Sequence, residues 1–343
     1  MYLKALYLRK QINILLFLLA LALFGNVKAQ DAHFSQFYAA PLFTCPSFAG
    51  ATDGSRVVMN YRDQWPQLPG DFVTYSFSVD HYIRSLKSGI GLLFFRDQAG
   101  TGELSTTTVG WQYSYNIRLN NKWYARPGLH FLYSQRSVNF DKQTFVDQIS
   151  LYGITPHTIE NFAIDRVGYL DFSSSALFYS RKHWAGVTFD HMLKTDQSFL
   201  GNESSVPLKT SVFLGKKIDI NKRMGRFNEE SMTVSLLFQK QAKFKQLTFG
   251  AYWYKAPLVL GIWYRGLPLI TDSQTGFKYN DAAIFLVGFK TIQLTIGYSY
   301  DFTISHLIGS TGGAHEVSIV YEFNQSPKVK MKRKHNIVSC PKF

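Results

Sequence analysis

The chain has 343 residues, of which 46% are hydrophobic, 16% aromatic and 17% charged, a balance that excludes a disordered or low-complexity protein. Its formal charge of +14 is local: Lys4, Arg9, Lys10 and Lys28 near the start and Lys328, Lys330, Lys332, Arg333, Lys334 and Lys342 near the end leave only +4 for everything between. That distribution excludes a nucleic-acid-binding module, which needs a basic face on a folded unit, and two cysteines exclude a disulfide-dense scaffold.

Residues 1–29 read as a signal peptide. Lys4, Arg9 and Lys10 form a positive start, Ile12 to Phe24 is almost wholly apolar, and Val27-Lys28-Ala29 ends in a small residue. The apolar run is about 13 residues, short of the roughly 20 a spanning helix requires. Residues 30–54 follow, rich in Phe, Ala, Pro and Gly and without sustained alternation. They are too hydrophobic for a free linker, so they are expected to pack as a plug inside or beneath the next domain, with Phe34, Phe37, Tyr38, Phe43 and Phe48 as anchors.

From residue 55 onward the pattern has a period of two, the spacing that places successive side chains on opposite faces of a strand. The clearest case is 291–301: Ile292, Leu294, Ile296, Tyr298 and Tyr300 point one way and Thr291, Gln293, Thr295, Gly297, Ser299 and Asp301 the other. Fourteen strands are predicted, near 55–64, 71–83, 88–97, 103–118, 122–136, 167–181, 183–193, 206–219, 229–240, 246–255, 257–266, 280–290, 291–301 and 314–323. Most reach the roughly 9 to 11 residues of a tilted spanning strand. The fold class predicted over 55–323 is therefore an all-β transmembrane antiparallel barrel. Mean hydropathy is near zero at -0.09 because only alternate positions are apolar, while the aromatic content stays high.

Connection lengths give a separate test. Tight turns at 119–121, Lys182, Ala256 and 290–291 alternate with longer connections at 137–166, 194–205, 267–279 and 302–313, as short periplasmic turns and long external loops do in such barrels. The rhythm puts both termini in the periplasm and the barrel in an outer membrane. It is imperfect at 220–228, which is long and basic for the periplasmic side, and at Gln241 to Lys245, which is short for the external side.

Alternation also assigns faces. Val73, Tyr75, Phe77 and Val79 are expected to meet lipid and Thr74, Ser76, Ser78 and Asp80 the lumen; likewise Val109, Trp111, Tyr113 and Tyr115 against Gly110, Gln112, Ser114 and Asn116. The expected lumen is uncharged and polar for much of its height. Arg62, Asp80, Arg96, Asp97, Asp301 and Glu322 would add inward charges, either as solvated wall groups or as an ion-pair network that closes the pore or holds an inserted segment. Residues 324–343 form a basic tail with no acidic residue, read as disordered or as a docking segment for an acidic surface. Cys45 and Cys340, each followed by proline, are placed just outside the barrel at its periplasmic end, where a disulfide between them is chemically permitted.

No catalytic constellation emerges. The nine histidines are scattered, no GxSxG elbow is present, His315-Glu316 lacks the second His of HExxH, and Gly309 to Gly313 lacks the GK[ST] ending of a phosphate loop. No cofactor or metal is implied.

Several segments carry a family resemblance: DAHFSQFYAAPLFTCPSFAG at the start, YRDQW with Arg62, Gln64 and Trp65, DQAGTG at 97–102, WYRG at 263–266, and GYSYDFTISHLIGSTGGAHEVSIVYEF at 297–323. The last includes Gly297, Tyr298, Ser299, Tyr300, Asp301, His315 and Glu316. The sequence resembles the PorP/SprF family of type IX secretion outer-membrane proteins over nearly all of residues 30–343. It departs from that family at Cys45, which stands where the family has Asn before the proline. The resemblance implies a non-enzymatic outer-membrane component in Bacteroidota that assists secretion or surface attachment of a client with a C-terminal sorting domain, gliding-motility adhesins among them. The implied partners are that client, other secretion components in the outer membrane and periplasm, and lipid, with no nucleic acid. Loop 137–166 is the candidate client surface, through Phe140, Phe145, Ile149, Tyr152 and Ile154. The competing reading is a passive channel or transporter for small or hydrophobic compounds, which requires an open or ligand-gated lumen.

Overall fold

The computed structural model describes residues 31–52, 54–70, 72–150, 153–155, 158–159, 164–199, 204–221, 230–271, 278–305 and 309–323. The segment read as a signal peptide, 1–29, the segment read as a basic tail, 324–343, with Cys340 in it, and Tyr152 lie outside these residues.

Fourteen long strands form the domain: β1 Ser55–Gln64, β2 Phe72–Ile83, β3 Ser88–Ala99, β4 Leu104–Tyr115, β5 Tyr124–Ser137, β6 Arg166–Tyr179, β7 His183–Asp190, β8 Lys209–Asn221, β9 Glu230–Gln241, β10 Phe244–Lys255, β11 Leu258–Thr271, β12 Lys278–Lys290, β13 Leu294–Thr303 and β14 Ala314–Phe323. Each pairs antiparallel with its neighbours in the chain. The sheet closes where β1 meets β14, in register from Ser55 opposite Phe323 to Gln64 opposite Ala314. Closure satisfies every strand's backbone groups within the sheet, which is what lets strands cross a bilayer. Among the described residues no helix is long and apolar enough to do so.

The two faces separate as the alternation predicts. On β13, Ile296, Tyr298 and Phe302 are exposed, whereas Thr295, Gly297, Ser299, Asp301 and Thr303 are buried. On β2, Tyr75 and Phe77 face out and Thr74, Ser76, Ser78 and Asp80 face in. Outward apolar residues on all fourteen strands form the band that meets lipid.

Three expectations change. The strand predicted at 291–301 begins at Leu294, because the Thr291 side chain closes a turn: the Leu294 N–H donates to Thr291 Oγ1 at 3.0 Å and the Thr291 N–H to the Leu294 carbonyl at 2.7 Å. Ile292 and Gln293 continue the sequence alternation but belong to that turn. The connection expected at Gln241 to Lys245 tightens to Ala242-Lys243, with Ala242 at φ 50°. The lumen is not polar throughout. Leu177, Tyr179, Trp184, Phe213, Leu237, Tyr252, Trp263, Ile284 and Leu286, on β6 to β12, are buried apolar side chains in one cluster with residues 37–51.

Residues 32–52 lie against the inner faces of the strands. Two short helical turns, Pro41–Thr44 and Pro46–Phe48, each start at a proline, whose fixed φ suits the first helical position. Glycines on the wall give this backbone room. A Cβ on Gly89 would stand 2.0 Å from the Ala49 carbonyl oxygen, and one on Gly128 would stand 2.4 Å from the Ser47 nitrogen.

Candidate functional site

The most densely bonded part of the interior is where Ser35 and Gln36 meet β1, β11, β13 and β14. Their two successive backbone N–H groups donate to the Glu316 carboxylate, at 2.7 Å to Oε2 and 2.9 Å to Oε1. The Ser35 hydroxyl donates to Asp301 Oδ2 at 2.6 Å and accepts from Arg62 Nη1 and Arg265 Nη1, each at 2.7 Å. That fills the one donor and two acceptor sites of a hydroxyl. Arg62 also bridges Asp301 at 2.9 Å and Glu316 at 3.2 Å, and Arg265 reaches Asp301 at 2.9 Å. Two guanidiniums and two carboxylates balance, with Asp281 beside Arg265 at the partly exposed margin. Charges this deep are tolerable only when paired and hydrogen-bonded. The Gln36 side chain completes the contact: its Nε2 donates to Ser299 Oγ, and its Oε1 accepts from Ser318 Oγ.

A second anchor lies farther along the segment. Arg56 pairs with Asp80 at 2.8 Å and donates to the Phe48 carbonyl, while the Gly50 N–H donates to Asp80 Oδ2 at 2.8 Å. Around the rest of the wall, Gln112 donates to the Leu42 carbonyl, Ser114 to that of Ala49 and Thr188 to that of Thr44, and Ser47 bonds Ser175. The apolar side is packed by rings. Tyr38 stacks on Trp263 with centroids 5.2 Å apart, Phe37 meets the same indole edge-on at 5.3 Å, and Phe48 lies 5.4 Å from Phe213.

The predicted anchors Phe34, Phe37, Tyr38 and Phe48 are all buried, and Phe43 is half-buried against Phe34 and Phe95. Cys45 is not outside the barrel: it is a fully buried free thiol beside Ser47, Ser175 and Thr188. Of the predicted luminal charges, Arg62, Asp80 and Asp301 are buried, Asp97 accepts from Thr74 Oγ1, and Glu322 is half-buried at the end of β14. Arg96 is a correction. Neighbouring residues on a strand cannot share a face, and with Asp97 inward Arg96 is exposed outside.

The family-motif residues divide by face. Ser299, Asp301 and Glu316 hold the N-terminal segment from inside. Outside, Tyr298 bonds His315 at 2.8 Å and Tyr300 packs against the same ring. Gly297 faces inward between Gly288 and Ser318. Gln64 accepts from Arg62, and Trp65, at φ 64°, donates its N–H to the Gly313 carbonyl.

Four residues of the ionic site are not among the predicted luminal charges and anchors: Ser35, Gln36, Arg265 and Glu316. Glu316 shares its face with Glu322, so strict alternation along β14 identifies it. Arg265 cannot be found that way, since Leu258 to Trp263 is apolar on both faces.

The long connection between β5 and β6 is held by its own polar groups. Val138 N–H donates to the Asp165 carbonyl, Lys142 is ion-paired with Glu103, and Asp147 accepts from Thr158 and from the Ile159 N–H at 2.7 Å. Ile149 pairs with Ile154 in a two-residue ladder. Phe140 and Phe145 are half-buried, whereas Val146, Ile149, Ile154 and Ile159 are exposed, Val146 at 87% and Ile159 at 89%.

A closed antiparallel barrel with an outward apolar band is an integral membrane protein of the outer-membrane type. The chain belongs to the family described as Type IX secretion system membrane protein PorP/SprF, which matches residues 26–321, and is thus an outer-membrane component of that system. No curated protein matches its sequence. Among solved structures it is similar to the toluene transporter TodX of Pseudomonas putida, with TM-score 0.44 and 10% identity over 86% of this chain and 98% of that one. A Pseudomonas aeruginosa FadL homologue gives 0.42 and 12% over 83% and 94%, and CdiB from Acinetobacter baumannii 0.42 and 7% over 78% and 60%. Likenesses this distant bear on no functional argument.

Proposed function

We propose that this barrel is a non-enzymatic, client-binding component of the type IX secretion machine rather than a passive channel. The observation that carries this is the occupied interior: residues 32–52 engage the wall through two buried ionic anchors and a ring-packed apolar side. A passive pore of this kind needs a watery lumen, whereas residues 32–52 are hydrogen-bonded to inward side chains of β1, β2, β4, β6, β7, β13 and β14. Function then falls to the surfaces. We place the short turns on the periplasmic side and the described residues of the 137–166 connection on the external side.

That loop is the client surface. Val146, Ile149, Ile154 and Ile159 stay exposed on a segment whose polar groups bind one another, so apolar area is held out in fixed form. Its partner is a secreted protein bearing a C-terminal sorting domain, a gliding adhesin in a Bacteroidota cell being one case. Excision of residues 140–160, with barrel abundance in the outer membrane verified, should abolish appearance of the client on the cell surface and in the medium. Unchanged client secretion by the excised protein would refute the assignment.

A further inference from the structure

We infer that the rim at the short-turn end is a binding surface for anionic phospholipid headgroups. The inference needs only that the barrel spans a membrane and does not depend on which end is periplasmic. Arg84 and Lys87 lie in the β2–β3 turn, Lys122 in the β4–β5 turn, Arg181 in the β6–β7 turn, and Lys216 and Lys255 near the ends of β8 and β10; all six are exposed. Among the described residues, the carboxylates at this end that are not buried are Asp219, Glu230 and Glu322. Asp219 pairs with Lys182 at 3.1 Å, and Glu230 accepts from the Trp253 indole at 2.8 Å.

The opposite end differs in kind. Its cations, Lys142, Arg166, Lys194, Lys240, Lys243 and Lys245 among them, stand with a comparable number of carboxylates that are not buried, Glu103, Asp141, Asp147, Asp165, Asp190 and Asp196, and Lys142 and Arg166 are ion-paired with Glu103 and Asp165. The short-turn rim therefore carries an excess of positive charge, and that excess is spread around the circumference from β2 to β10. A protein partner docks on one side of a barrel, whereas lipid meets all of it.

The aromatic residues on the same rim fit this occupant. Tyr115, Trp123 and Tyr321 are exposed on the outer face near the strand ends, and the Lys255 ammonium stands 6.0 Å from the Trp253 ring centroid. Rings of this type settle at the headgroup level, with long cationic side chains extended along them toward phosphate. Each Lys or Arg near an anionic surface strengthens association by about fivefold.

The test is native mass spectrometry of the full chain in neutral detergent, offered phosphatidylglycerol and phosphatidylcholine in equal amounts. The wild type should retain phosphatidylglycerol preferentially. The variant Lys87→Gln/Lys216→Gln/Lys255→Gln should lose that preference by about fivefold per charge removed, while Lys240→Gln/Lys243→Gln/Lys245→Gln at the other end should keep it. Equal retention of the two lipids by the wild type, or an unchanged preference in the first variant, overturns the inference. So does displacement of the lipid by inorganic phosphate, which would make the rim a simple anion site, or by an acidic peptide at equal concentration, which would make its partner a protein. If the first variant fails to fold, the wild-type preference and the second variant still decide.

Discussion

The inner wall has two sectors that hold the same segment by different forces. From β13 through β14 and β1 to β2, Asp301, Glu316, Arg62, Arg56 and Asp80 grip residues 35–50 by charge-assisted hydrogen bonds with fixed directions. From β10 to β12, Tyr252, Trp263, Ile284 and Leu286 form an apolar surface on which Phe37 and Tyr38 pack. Hydrogen bonds to buried charges set register, since a slip of one residue would strand a carboxylate without a donor. Ring packing supplies area and tolerates small shifts. The contrast teaches that the segment is positioned by one side of the barrel and held down by the other.

The largest effects should come from breaking each sector separately. Glu316→Ala removes the acceptor of two backbone N–H groups and a partner of Arg62, and should cost about 3–5 kcal/mol in chaotrope unfolding from lipid vesicles. Trp263→Ala on the apolar side should cost a comparable amount, about 3–5 kcal/mol. The two should differ in outcome: the first frees the segment to protease while the second leaves residues 35–36 protected. Identical digestion patterns would erase the distinction between sectors.

Smaller and more local, Gly89→Ala places a methyl group where the Ala49 carbonyl oxygen sits, and overpacking of this kind costs about 1–3 kcal/mol. Limited proteolysis within residues 45–52 should rise while the β-sheet signal stays constant. Smaller still in stability, the joint replacement Val146→Ser/Ile149→Ser/Ile154→Ser should change barrel unfolding by no more than about 0.5 kcal/mol per site. Client secretion should nonetheless fall, which would separate the loop's role from that of the interior.

The smallest effect is a pH dependence of the loop. The Lys142 ammonium holds Glu103 below the usual carboxylate range, and the Ile159 N–H does the same for Asp147. A folded-state pKa below the unfolded value means the contribution is present above the unfolded value and is lost as pH falls through the folded one. Protection of residues 138–150 against hydrogen exchange, taken relative to the intrinsic rate at each pH, should therefore fall only below about pH 4 and stay constant between about pH 5 and 8.

The same two sectors explain what the sequence can tell. On β2, β4 and β13 polar and apolar residues alternate cleanly, so the strand, its faces and inward residues such as Asp80 and Asp301 are legible in the amino-acid sequence alone. On β11 the run Leu258 to Trp263 is apolar inside and out, because its inner face packs against Phe37 and Tyr38 rather than water; period-two reading has nothing to separate there. Alternation therefore does not assign Trp263 and Arg265 a face, although both lie in the family segment WYRG. Residues 30–54 announce by composition that they need a partner, but Ser35 and Gln36 look like ordinary small polar residues. Their role comes from strands β1, β11, β13 and β14 converging on them, and Glu316 lies 281 positions from Ser35. The apparent strand start at Thr291 fails because a turn closed by a threonine can continue the alternation of the strand behind it.

The central claim is that the interior is occupied by the chain's own N-terminal segment and is not a conduit. Purified full-length protein should therefore be reconstituted into planar bilayers and its current recorded at both polarities. The account predicts a quiet baseline for the wild type and step-like openings for Glu316→Ala, whose segment has lost its anchor. Steady, porin-like conductance through the wild type would contradict it.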